Sequence, residues 1–164
     1  MASKNQTQII TEAGKQELFI VREFEAPRHL VFKAFTEREI LVKWVGPREM
    51  TIRYDYFEPK KGGSYRFIQT LPSGLEIGFH GVCHEHTKPE RIIQTFEFEG
   101  LPEKGHVVLE TTRFEELSDS RTRVTIQSVF QSVADRDGMV MSGMERGAVD
   151  SHERLDDLIE KNII

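Results

Sequence analysis

A chain of 164 residues suits one domain, large enough to bury a hydrophobic core without disulfides or a metal. A formal net charge of −5, with both signs interspersed, excludes the basic footprint of a nucleic-acid binder, and no apolar run approaches the roughly 18 residues of a membrane-spanning helix. Cys83 is the single cysteine, so no internal disulfide can form. The polar residues 1–8 lack the core of a secretion signal, which makes a reducing, cytoplasmic setting the simplest expectation.

Residues 1–14 read as a polar leader, partly disordered in its first few positions. No repeat, low-complexity tract or linker follows, so residues 15–164 are expected to form a single domain. Within residues 16–25, Leu18, Ile20 and Phe24 share one alternate register and Phe19 and Val21 the other, which predicts a strand that is partly apolar on both faces. Pro27 sits in the favoured first-turn position of a helix whose inward residues are Leu30, Val31, Ala34 and Phe35. Thr36 followed by Glu39 has capping-box spacing. A second short helix is therefore expected over residues 37–43, with Ile40, Leu41 and Trp44 apolar and Gly46-Pro47 as its stop.

From residue 50 the pattern is strand after strand: residues 50–57, 64–71, 75–87, 91–98, 106–116 and 121–131, separated by Gly-, Pro- and Ser-rich turns. The last thirty residues change period. At 100° per residue Val140, Met141, Met144, Ala148, Ser151, Leu155, Leu158 and Ile159 fall on one side of a helix, and Glu145, Asp150, Glu153, Asp156, Asp157 and Glu160 on the other. Gly143 and Gly147 each cost about 1 kcal/mol relative to Ala within a helix. They predict a break, with residues 135–142 as a separate short helix acting as a flap. A helix with one apolar stripe needs a sheet to lie on, so the expected fold is α+β: a curved antiparallel sheet of about seven strands around a long C-terminal helix, with two short helices after the first strand.

Several local motifs fit this order. They are Glu25-Ala26-Pro27 before Val31-Phe32-Lys33-Ala34-Phe35, then Leu41-Val42-Lys43-Trp44-Val45-Gly46-Pro47, and Glu58-Pro59-Lys60-Lys61-Gly62-Gly63-Ser64-Tyr65-Arg66-Phe67. Gly81-Val82-Cys83-His84-Glu85 followed by Pro89-Glu90-Arg91-Ile92, Ser142-Gly143-Met144-Glu145-Arg146-Gly147 and Arg154-Leu155-Asp156-Asp157-Leu158 complete the set. Together, over residues 15–161, they resemble the START-like (SRPBCC) superfamily with its helix-grip fold. Within it they resemble the family named after the C-terminal domain of the heat-shock protein 90 ATPase activator. The resemblance implies an elongated cavity between sheet and helix. In other branches such cavities bind lipids, hormones or polyketides, and in some they catalyse cyclisation, dehydration or hydrolysis. It also implies a chaperone as a candidate partner, set second here because the leader is shorter than the additional N-terminal domain that chaperone activators carry.

Alternation along residues 75–87 places Ile77, Phe79, Gly81 and Cys83 on an inward face, and Gly78, His80, Val82, His84 and His86 on the other. The expected ligand-binding wall is Trp44, Phe67, Phe79, Cys83, Phe96, Met141, Met144, Ala148 and Ser151. The plain alternative is that these residues are simply core. A pocket is favoured because Met144, Ala148 and Ser151 are flexible or small where a packed core would take Leu or Ile. His84 and His86 would stand about 7 Å apart on one face, but no third ligand is identifiable, so neither a metal site nor a cofactor is expected. Cys83 reads as a buried inert thiol, since His84 points away from it and cannot serve as its base. Glu85 shares the Cys83 face, and Glu97 and Glu110 interrupt other strands. A carboxyl inside an apolar cavity would have a raised pKa, unless Arg66 or Arg113 neutralised it as a structural pair.

No Ser/His/Asp constellation or phosphate loop is present, so no catalytic residue is assigned. The leading expectation is a protein that binds a small apolar or aromatic ligand. A chaperone-modulating interaction domain comes second and a cavity enzyme third. Val149, Ile163 and Ile164, outside the buried stripe, leave room for a homodimer.

Overall fold

The computed structural model describes residues 5–164. Its strands are β1 (Gln8–Ile10), β2 (Glu17–Phe24), β3 (Thr51–Phe57), β4 (Ser64–Thr70), β5 (Glu76–Thr87), β6 (Arg91–Phe98), β7 (Val108–Leu117) and β8 (Arg121–Val129). Helices α1 (Arg28–Thr36) and α2 (Arg38–Trp44) lie between β2 and β3, and α3 (Val133–Met141) and α4 (Met144–Glu160) follow β8. All neighbouring strands are antiparallel, in the order β1-β2-β8-β7-β6-β5-β4-β3. This is the helix-grip arrangement expected from the sequence, with one strand more.

The additional strand is β1, inside the segment read as a polar leader. It pairs Gln8 with Val21 and Ile10 with Phe19, and so covers the hydrogen-bonding edge that β2 would otherwise expose. The disorder expected at the very start of the chain concerns residues 1–4, outside the described residues. The capping box does not form. Glu37 caps α2 without a side-chain hydrogen bond, because Thr36 is the last residue of α1 and its hydroxyl donates back to the Phe32 carbonyl at 2.8 Å. The break in the C-terminal helix is real. Gly143, at φ +85°, takes the left-handed conformation that separates α3 from α4, and Ser132 caps α3 by accepting from the Asp135 amide at 3.0 Å.

A register shift between Cys83 and Glu85 overturns the simple alternation of β5. Cys83 pairs with Gln94, Glu85 with Ile93 and His86 with Ile92, so His84 is the extra residue of a β-bulge. Beyond it the faces exchange. Glu85 turns outward to Arg91 and Thr87, and His86 turns inward against the Phe32 ring, centroids 5.2 Å apart. The three histidines therefore do not share a face.

The interior holds two apolar clusters. One gathers Phe24, Val31, Phe32, Ile40, Leu41, Trp44, Ile92, Phe114 and Val124 beneath Leu155 and Leu158 of α4. The other is built on Leu18, Ile20, Val108 and Phe130, with Phe96, Ile126, Met139, Met144 and Ala148 against it. Leu155 is fully buried, and about 2–5 kcal/mol would follow from truncating such a side chain to Ala. Two residues on the buried side of α4 escaped the helical wheel. His152 is 4% exposed, and Asp156, grouped there with the solvated acids, reaches Arg22, itself 2% exposed on the inner face of β2. Among the described residues no helix is long and apolar enough to cross a membrane.

Candidate functional site

The inner face of β3 to β6 carries a continuous run of aromatic rings. Cross-strand pairing sets Tyr54 opposite Phe67, Phe67 opposite Phe79, and Phe79 opposite Phe98. The rings of Phe67 and Phe79 stack at 4.9 Å and 19°, and those of Phe79 and Phe96 at 5.3 Å and 25°. Tyr65 stacks on Phe67 at 6.3 Å and donates its hydroxyl to the Thr95 carbonyl at 2.6 Å. That hydroxyl occupies space above Gly81. A Cβ there would lie 2.6 Å from the Tyr65 oxygen and 2.0 Å from the Thr95 carbonyl oxygen, so the position requires glycine. Phe79, Phe96 and Phe98 all keep some accessible surface despite facing inward.

Beside the rings runs a polar row set by register: Cys83 opposite Gln94, Gln94 opposite Glu110, and Glu110 opposite Ser128. The Ser128 hydroxyl lies 3.4 Å from the Glu110 carboxylate. Burial pushes the Glu110 carboxyl up to about 7, against the hydrogen bonds of Ser128 and Gln94, which pull it down. The Tyr65 phenol is pushed up by burial and then by the charge of Glu110, and burial alone raises Tyr54. Glu110 is thus deep enough to lose much of its hydration, yet it retains accessible surface.

Residues 25–160 match the family described as activator of Hsp90 ATPase homolog 1-like protein. The chain belongs to that family. Solved structures share its fold. A Rhodobacter sphaeroides protein superposes with a TM-score of 0.85 at 24% identity, covering 95% of this chain and 99% of its own. An Arthrobacter aurescens protein superposes at 0.85 and 25% identity, covering 94% and 91%, and a Mycobacterium smegmatis protein at 0.84 and 20%, covering 93% and 96%. No curated protein matches the chain. The fold of this Hsp90-activator-like family is compatible with a ligand-binding or a chaperone-related role.

Within this family member the residues expected on the binding wall separate into four groups. Phe67, Phe79 and Phe96 come together in the ring stack. Met144 and Ala148 are part-buried over the Val108–Phe130 cluster. Trp44, Cys83 and Ser151 lie outside the ring stack. Trp44 is 4% exposed and donates its indole N–H to the Ala34 carbonyl at 3.1 Å. Cys83 lies in the first cluster with its thiol pKa raised by burial. Ser151 ties α4 to the loop after α2, accepting from the Gly46 amide at 2.8 Å and donating to the Gly147 carbonyl at 2.6 Å. Met141 is 86% exposed at the end of α3, because the Gly143 break turns the helix before Met141 can follow the stripe of α4.

Sequence reasoning named Glu110 only as a strand interruption and missed Tyr54, Tyr65, Gln94 and Ser128. Their signal was the period-two face they share with Phe67, Phe96 and Val108. Neither arginine offered as its partner serves. Arg66 holds Glu99 through two hydrogen bonds of 2.9 and 2.8 Å and also pairs with Asp55 on the outer face, and Arg113 is exposed. The Arg66 guanidinium, with help from His80, holds the Glu99 carboxyl down at about 2. Two open grooves of about 400 and 350 Å³ are present, one lined by His29, Phe32, Lys33, His86 and Lys88, the other by Arg66, Gly78, Phe98 and Glu99. Neither lies under α4. Among the described residues no three His, Cys, Asp or Glu side chains converge on a metal-sized site.

Proposed function

We propose that this protein binds a small, largely apolar or aromatic molecule between the inner face of its sheet and α4. The observation that carries the reading is the residual accessibility of Phe79 and Phe96 in the middle of the ring stack, where a fully packed core would close them off. Phe67, Met144 and Ala148 would complete the contact, and the flexible Met139 and Met144 side chains would yield to the ligand. Entry would go past α3. Arg136 is its one buried residue, and Gly143 disconnects it from α4.

The test is a thermal-shift and native mass spectrometry screen against lipids, flavonoids and polyketides, run on the native chain and on Ala148→Leu. A ligand at a hundred times its Kd should stabilise the native chain by about 2.7 kcal/mol, and the added side chain should weaken that response. No shift with any compound, or equal binding by a folded Ala148→Leu protein, would overturn the reading.

A second reading, a surface that modulates a chaperone, is supported by the family's description. Pull-down at physiological salt beside a surface-charge-reversed variant tests it, and recovery of no chaperone by the native chain counts against it.

A further inference from the structure

We infer that the ligand of this interior site carries a positive charge, as an organic ammonium held between the Glu110 carboxylate and the faces of the neighbouring Tyr65 and Phe96 rings. The inference rests on the binding site just proposed and adds the chemical class of what fills it.

A carboxyl group in a protein interior ordinarily has a cation beside it, because an unpaired buried charge is costly. Glu110 has none. Among the described residues no Lys or Arg side chain pairs with it, and its hydrogen bonds come from the neutral Ser128 and Gln94 side chains. The cations of the interior are committed elsewhere. Arg22 holds Asp156 and donates to the Thr7 hydroxyl at 3.2 Å. It stands opposite Val124, two inward positions along β2 from Leu18, the residue opposite Ser128. Arg136 pairs with Asp137 and donates to the Glu17 carbonyl at 3.1 Å. Among the described residues none therefore supplies the missing positive charge.

What surrounds the carboxyl suits a cation. Phe96 is the diagonal neighbour of Glu110 across the β6–β7 pairing, since Gln94 is directly opposite. Such diagonals lie about 7–8 Å apart at Cα, within reach of aromatic side chains. Tyr65 reaches the Thr95 carbonyl with its hydroxyl, one residue along β6 from the Gln94 that stands opposite Glu110. Ring faces carry negative potential, so an ammonium gains from both the carboxylate and the rings, and a quaternary one has no N–H donors whose hydration it must give up. A purely structural carboxyl would need nothing that Gln could not provide to Ser128 and Gln94. An anionic ligand would meet repulsion from every group named.

Isothermal titration of the full chain at pH 8 with an isosteric pair tests this. The pair is 3-hydroxyphenyltrimethylammonium, whose charge is permanent, and the neutral 3-tert-butylphenol. The ammonium should bind the native chain at least about ten-fold more tightly than its neutral twin. In Glu110→Gln that preference should fall to within about two-fold, while the affinity for 3-tert-butylphenol changes little. If 3-tert-butylphenol binds as well as the ammonium, the charge inference fails and the binding site stands. Equal preference in native and Glu110→Gln proteins, with Glu110→Gln folded by circular dichroism, also overturns it. If neither probe binds at about 2 mM, the binding site and its charge preference both fail.

Discussion

The two halves of α4 cover interiors of different character. Its C-terminal half lies on a closed core, where Leu155 and Leu158 meet Phe24, Phe32 and Val124. Arg22 holds Asp156, and His152 shares a hydrogen bond of 2.8 Å with Thr7 and sets its ring edge-on to Phe24. Its N-terminal half sets Met144 and Ala148 against Val108, Phe130 and the part-exposed Phe96, on the sheet face that also carries Glu110. One helix thus serves as an anchor at one end and a yielding wall at the other. The difference lies in counter-charge: the buried Arg22 has Asp156, and Glu110 has only neutral hydrogen-bond partners.

The contrast can be broken most forcefully at the anchor. Asp156→Ala leaves the Arg22 guanidinium buried without its carboxylate and should cost about 3–5 kcal/mol in a urea titration. A loss under about 1 kcal/mol would mean that the anchored half tolerates unpaired charge as readily as the other.

At the wall the expected sign is opposite. Glu110 titrates near 7 when folded against an ordinary 4.5, so the folded chain holds its proton longer than the unfolded one. The stability this group contributes is present below 4.5 and lost as pH rises through 7. Glu110→Gln should therefore stabilise the protein by about 3 kcal/mol at pH 8 and by almost nothing at pH 4. A destabilisation at pH 8 would show that the carboxylate is already compensated.

The third effect is smaller and runs the other way in pH. Burial, and then the Arg22 charge, depress His152 from 6.5 to about 3, so the folded chain keeps it neutral while the unfolded chain protonates. Its contribution is present above 6.5 and fades as pH falls. Moving from pH 7 to pH 5 should cost about 2 kcal/mol through this group, and His152→Gln should remove that slope. An unchanged pH profile in the variant would assign the acid sensitivity elsewhere.

How much of this was legible depended on the length of the pattern. Six strands and β5 up to Cys83 were read from period-two alternation, and Pro27 marked the start of α1 within one residue, because both signals repeat or are sterically strict. β1 was not, since three residues carry no period. Thr36 and Glu39 matched a capping motif, but the spacing cannot show that the hydroxyl belongs to the preceding helix. His152 was readable, lying four residues after Ala148 and three before Leu155, yet residue type outweighed position. Asp156 was misplaced for the same reason, because its partner Arg22 is distant in sequence and hidden among Leu18, Ile20 and Phe24. Within the site, the Phe67–Phe79–Phe96 stack was legible from alternation. The isolation of Glu110 was not, since it depends on where every arginine points.

The bulge at His84 makes β5 a strand whose two ends keep different time. The stretch up to Cys83 follows the ring stack and the later stretch follows Phe32, so one sheet face serves two cores that ask for opposite parity. Deleting His84 would remove an exposed side chain with little packing of its own. The deletion would close the bulge into a regular ladder, with Glu85 still outward opposite Ile93 and His86 still inward opposite Ile92, and the strand would lose the local bend that the extra residue supplies. In this family member the length of the strand, and not only its composition, carries information about the interior.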